Sequence, residues 1–166
     1  MPGTSGCVAE ADFVRQPLGV GDVLTHRVGV VRAFLEAFAR RDEGRLLSLL
    51  AHDAEFSTRV HVLPELQFTG RDAVAARFRV VDDEYDRFEV LEPRYRQGAG
   101  DAVVVTCRLS LRLKGEQYGQ ARKSNWLFRV DEEHGQVSSI RSYRDAADAM
   151  RAAGLTSGKG FSSGGA

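Results

Sequence analysis

Cysteine occurs only twice in the 166-residue chain, and net charge is absent: Lys plus Arg and Asp plus Glu both number 23. With no excess of either sign there is no global field to draw the protein onto phosphate backbones or anionic lipid, so neither nucleic acid nor a membrane is expected as a partner. The two thiols differ in setting: Cys7 stands among Gly, Ser and Thr, whereas Cys107 occupies an apolar strand position, where a thiol acts as a small hydrophobe. No disulfide between them is expected. No run approaches the ~18 apolar residues of a membrane span. No basic start leads into an apolar stretch and a small-residue cleavage site, so the expectation is a soluble, cytoplasmic protein.

Motifs that carry chemistry are equally scarce. The chain has no G-x-x-x-x-G-K-[ST] phosphate cradle, no G-x-G-x-x-G between strand and helix, no G-x-S-x-G, no H-E-x-x-H and no C-x-x-C. These absences remove whole reaction classes. His26, His52, His61 and His134 are dispersed without ligand spacing, and neither a metal centre nor a cofactor is expected. Asp82, Asp83, Glu84 and Asp86 cluster, but adjacent helical positions project in different directions, so they read as a solvated helix end rather than a catalytic pair.

The 43% apolar content is enough for a single core. Its clearest signal lies between Asp101 and Lys114, where Val103, Val105, Cys107, Leu109, Leu111 and Leu113 alternate with residues that turn polar. That is a long strand with one buried face. Upstream, Leu24, Val28, Val31, Leu35 and Phe38 recur at helical spacing and predict a helix over Thr25–Arg40 with Arg32, Glu36 and Arg40 outside. Asp42 caps a second helix, Glu43–Leu50, and a strand follows over Glu55–Val62, ended by Pro64. Thr69 opens a third helix to about Glu84 in an approximate capping box.

From Arg87 the period changes to two, predicting strands over Arg87–Gln97, Asp101–Lys114, Gln117–Val130 and Gln136–Arg144. Gly98-Ala99-Gly100, Gly115-Glu116 and Asp131 to Gly135 supply the turns. Asp145 caps a short last helix, Ala146–Ala153, which Gly154 ends. Residues 1–21 read as a flexible arm and 154–166 as a flexible Gly/Ser-rich tail, flanking one domain over 22–153. The fold class is α+β, with helices on one face of a bent antiparallel sheet.

Three stretches carry a resemblance. They are Phe38-Ala39-Arg40-Arg41-Asp42 running to Leu50-Ala51-His52-Asp53-Ala54, then Phe68-Thr69-Gly70-Arg71-Asp72-Ala73-Val74, and Phe128 through His134-Gly135-Gln136-Val137 to Tyr143-Arg144-Asp145. With the element order, they resemble the nuclear transport factor two-like superfamily, especially its SnoaL-like branch. The resemblance implies a cone-shaped α+β barrel: three N-terminal helices packed on a strongly curved, mostly antiparallel sheet, with a short C-terminal helix. The superfamily includes ketosteroid isomerases, polyketide cyclases, dehydratases and proteins that only bind or dimerise, so fold alone chooses no function.

Counting along the family register, the isomerase's base Asp falls at Thr58, its oxyanion-binding Tyr at Phe34 and its protonated Asp at Trp126. None of the three offers the required chemistry: a hydroxyl does not abstract a carbon-bound proton unaided, Phe has no donor, and the indole N–H is a weak one. The same register turns Arg77, Cys107, Ser124, Ser142 and Arg144 toward the cavity with Phe34, Thr58 and Trp126 as its binding residues. His61 is left as the acid/base candidate. The outer sheet face, with Arg108, Arg112, Lys123 and Asn125, is the expected homodimer surface. The resemblance thus implies a pocket for a hydrophobic, cyclic small molecule. Its use is either cofactor-independent isomerisation, cyclisation or dehydration, or non-catalytic binding or dimerisation.

Overall fold

The computed structural model describes residues 20–58 and 65–155. The arm over residues 1–19, the end of the tail over 156–166, and His61 lie outside the described residues. The chain runs α1 (Val20–Ala39), α2 (Glu43–Leu49), β1 (Leu50–Thr58), β2 (Leu66–Thr69), α3 (Arg71–Glu84), β3 (Tyr85–Gln97), β4 (Ala102–Leu113), β5 (Gln120–Asp131), β6 (Gln136–Tyr143) and α4 (Ala146–Ala152). The strands form one sheet in the order β2-β1-β6-β5-β4-β3. Every neighbouring pair is antiparallel except β1 and β6, which run parallel.

Periodicity accounts for the frame. Along α1, Val31, Phe34 and Leu35 are buried, whereas Arg32, Glu36 and Arg40 around its end are exposed, as the helical spacing demands. Asp42 caps α2 by accepting from the Arg45 amide at 3.0 Å. Gly100, Gly115 and Gly135 adopt positive φ at the three hairpin turns, where an L side chain is strained. Pro93 sits in β3, an edge strand, beside Glu92 at φ 50 and a register break between Leu91 and Arg94. An edge with a bulge is where a strand tolerates a residue lacking an N–H.

Three expectations need correction. The helices do not form an N-terminal trio: α1 and α2 precede the sheet, and α3 is inserted between β2 and β3. The sheet is not a closed barrel either. Its edges β2 and β3 share no ladder, and α3 packs against both, so a helix rather than hydrogen-bonded strands fills the gap. Thr69 is no cap: it belongs to β2 opposite Glu55, and Gly70 at φ 97 takes the N-cap position while its amide donates to Ala54 O at 2.8 Å.

The principal core lies between the sheet's inner face and α1, α2 and α3, with Phe34, Leu50, Val74, Val103, Val105 and Phe128 among its buried members. A second cluster lies on the outer face. There Ala149 and Ala153 of the α4 region bury Ala102, Val104 and Leu127, so the first part of β4 is buried on both sides rather than one. Gly98 permits this approach, since a Cβ there would meet Ala153 O at 2.5 Å. Among the described residues no helix is long and apolar enough to cross a membrane.

Candidate functional site

On the inner face the strand registers line up residues from all six strands. Leu66 of β2 opposes Thr58 of β1, Ser142 of β6 donates to Thr58, Ser142 opposes Trp126 of β5, Trp126 opposes Val105 of β4, and Val105 opposes Tyr95 of β3. The next row carries Phe68, Phe56, Ile140, Phe128 and Val103. A single register therefore sets two hydroxyls and an indole beside a row of rings. The helices supply the opposite wall: Phe34 and Phe38, one turn apart on α1, and Arg77 and Phe78 on α3.

Between these walls lies an open cavity of about 250 Å³, lined from the rows by Thr58, Ser142, Trp126, Phe56, Ile140 and Phe128. Its rings interlock edge to face. Phe34 lies 5.6 Å from both Phe78 and Phe128, Phe38 lies 5.0 Å from Phe78 and 5.1 Å from Phe88, and Trp126 lies 6.4 Å from Phe128. Each such pair adds about 0.5–1.5 kcal/mol beyond the area it buries, which fixes the ring positions around the empty space. The polar members are Thr58, Ser124 and Ser142, with the cations Arg77, Arg122, Lys123 and Arg144. Arg77 is half-buried, whereas Arg122, Lys123 and Arg144 are exposed and stand at the rim.

No carboxylate or imidazole is among the described lining residues. The remaining ionisable group, Tyr143, packs its ring with the outer cluster, under the guanidinium of Arg141 at 5.6 Å. Nor do the four cations have ionic partners among the described residues. Some arginines elsewhere are neutralised locally: Arg129 meets Asp101 at 2.7 Å, Arg79 meets Glu43 at 2.8 Å, Arg41 meets Asp82 at 3.1 Å and Arg141 meets Glu65 at 3.2 Å. Two larger depressions differ in carrying carboxylates in their linings. The outer-face cleft holds Arg141 with Glu65, and the groove beside α1 is bordered by Glu132, which pairs with Arg27.

Of the nine residues singled out in the sequence, Phe34, Thr58, Arg77, Ser124, Trp126, Ser142 and Arg144 line this cavity together. Cys107 does not. It is buried with Leu109 and Leu111, and Trp126, Phe88 and Tyr85 pack over that cluster, so a side chain one carbon long stays beneath larger rings. Burial pushes its thiol up to about 11. His61 lies outside the described residues.

Asn125, expected on a dimer surface, is buried and donates to Arg144 O at 3.2 Å within the chain. Lys123, also expected on that surface, borders the cavity mouth instead, and sequence reasoning missed Phe38, Phe56, Phe78 and Phe88 as lining residues. The spacing of Phe34 and Phe38 on one helical face was the signal available for the first of these. Among the described residues no group of three or more His, Cys, Asp or Glu could hold a metal ion.

Solved structures with this architecture are numerous. A proposed polyketide cyclase from Xanthomonas campestris pv. campestris is 21% identical, with 76% of this chain and 95% of that one covered and a TM-score of 0.61. A Catenulispora acidiphila protein with a ketosteroid isomerase-like fold, in complex with trimethylamine, is 21% identical over 76% and 93% of the two chains at a TM-score of 0.60. A Mycobacterium tuberculosis protein in complex with estradiol-17β-hemisuccinate is 17% identical over 72% and 94% at a TM-score of 0.61. At these identities the likeness is one of fold. No functionally curated protein matches the chain in sequence. The model of the SnoaL-like domain, however, matches residues 31–140, which include the helical wall and most of the strand residues that line the cavity, Ser142, Tyr143 and Arg144 lying just beyond. This chain belongs to the SnoaL-like domain family.

Proposed function

We propose that this protein binds a hydrophobic, cyclic small molecule in the cavity between α1, α3 and the inner sheet face. The observation that carries the reading is the meeting of interlocked rings with a few convergent polar groups in one open cavity, the usual composition of a small-molecule site. Trp126 offers a flat wall, Phe34 and Phe78 the facing one, and the Thr58–Ser142 hydroxyl pair a polar edge that orients the ligand. At about 250 Å³ the space is below the ~300–1,000 Å³ common for drug-sized ligands, which suits one or two rings better than a steroid. The ligands named with the Mycobacterium and Catenulispora structures support small-molecule use of this fold.

Within the described lining residues the chemistry is that of binding. The cations and hydroxyls there can hold and polarise a ligand, but none is a base for a carbon-bound proton at neutral pH. A cofactor-independent isomerase, cyclase or dehydratase would draw its proton-transfer group from His61. Native mass spectrometry of gently purified protein, followed by titration of Trp126 fluorescence with one- and two-ring compounds, tests the binding reading. Saturable emission changes that Phe34→Ala weakens are expected, and an emission unmoved by every ring compound overturns it. Turnover lost in His61→Ala with ligand affinity retained would establish the enzymatic alternative.

The outer sheet face beyond α4, where Leu91 and Arg108 are exposed, is the surface we assign to a second copy of the chain. Light scattering on Leu91→Glu against the parent checks this. A monomeric parent refutes it.

A further inference from the structure

We infer that the ligand of this cavity carries an oxyanion group, held by the guanidinium groups of Arg77 and Arg144 while its ring lies against Trp126. The inference rests on the pocket reading above and adds the ligand's charge. The chain as a whole is neutral, yet among the described residues no cation of the cavity wall has an ionic partner, and no carboxylate lines the cavity.

The contrast with the other arginines that are withdrawn from full exposure decides the point. Among the described residues, Arg27, Arg112 and Arg129, all at least partly buried, each meet a carboxylate, and the partly buried Arg71 donates to Leu50 O. Arg77, by contrast, is half-buried among phenylalanines and has no ionic partner among the described residues. A guanidinium partly withdrawn from water without a counter-ion is unfavourable, and its planar fork matches an oxyanion in a two-point contact. Arg122, Lys123 and Arg144 at the rim extend the positive field outward, which favours anions over neutral or cationic molecules of the same shape during entry.

Calorimetric titration of the full chain with naphthalene-2-carboxylate and naphthalene-2-carboxamide tests the inference, because the two share a ring system and a planar substituent and differ in charge. The carboxylate is expected to bind at least about tenfold more tightly, the worth of one charge-assisted contact in a partly buried setting. Added salt should narrow that gap. The double variant R77Q/R144Q should erase the advantage, whereas R77K/R144K, which keeps both charges, should retain most of it.

Equal affinities, a preference for the amide, or an advantage that persists in R77Q/R144Q would overturn the anionic assignment and leave the cavity a neutral-ring site. Binding of neither compound would instead overturn the pocket reading, and this inference with it. A folded R77Q/R144Q protein is recognised by an unchanged thermal transition.

Discussion

Ser142 donates its hydroxyl to Thr58 Oγ1 across 2.8 Å, closing a side-chain link between the two parallel strands at the cavity wall. Thr58 therefore works as an acceptor and as a spacer between strands. Replacing it by Val keeps the shape and removes the acceptor. We expect a loss of about 1 kcal/mol in urea denaturation, with Thr58→Ser losing less because the oxygen remains.

Phe34 touches both Phe78 of α3 and Phe128 of β5, and is almost wholly buried. Truncation to Ala removes the residue that spans cavity wall and core. The expected cost is about 3–5 kcal/mol in equilibrium unfolding, together with a changed Trp126 emission as Phe128 relaxes. A cost below about 1 kcal/mol would mean that the wall collapses freely into the space, contrary to a preformed cavity.

Cys107 is held in its neutral form by burial, with a pKa near 11. At pH 8 only roughly one part in a thousand is thiolate, so Cys107 should resist iodoacetamide in the folded protein. Peptide mapping should find the label on Cys107 only after urea is added. Rapid native labelling would place the sulfur at an open wall instead.

His134 and Asp131 face each other at 2.8 Å in the turn before β6. The hydrogen bond to Asp131, then its charge, raises His134 above the ordinary 6.5, while the same bond lowers Asp131 below 3.8. The raised histidine contributes stability that is full below its unfolded value and is lost as pH rises through its folded one. The lowered aspartate contributes above its unfolded value and loses that contribution as pH falls through its folded one. Both contributions are present together at mildly acid pH, between the two ordinary values. NMR titration should put the His134 midpoint above that of an unfolded peptide, and Asp131→Asn should lower it.

Gly98 admits no side chain without displacing Ala153 O, to which the Ala99 amide donates at 2.8 Å. Gly98→Ala should destabilise by about 1–3 kcal/mol through overpacking and raise amide exchange at Ala99. Exchange within β1 should stay unchanged, since α4 lies against β4, β5 and β6.

What the chain discloses follows from where periodicity acts. Strand β4 was legible because alternation over Val103–Leu111 leaves no other reading, and the turns were legible because Gly100, Gly115 and Gly135 mark positive φ. Strand β2 escaped notice because it has only four residues, no fully buried one, and derives its structure from pairing with β1. The outer cluster was signalled by Ala102 and Val104 beside Val103 and Val105, four apolar residues in succession, which require cover on both faces. At the cavity, register alone put Thr58, Ser142 and Trp126 on one face, but a register gives direction and not depth. Cys107 shares that direction and still lies beneath its neighbours. Phe38, Phe56, Phe78 and Phe88 are not distinguishable as wall residues in the sequence, because a ring facing a hollow and a ring facing another side chain have the same signature.

The parallel join of β1 to β6 is the pairing of longest sequence separation in the sheet. Leu50 must find Val137, and Phe56 must find Ile140, before β1 gains its second neighbour, so loop closure across most of the domain precedes the reward of pairing. The meander from β3 to β5 can form hairpin by hairpin as the chain is made, while the opening segments wait for the last strand. A nascent chain halted after Asp131 would hold β1 and β2 as an unclaimed edge, the part most prone to pair with a stranger.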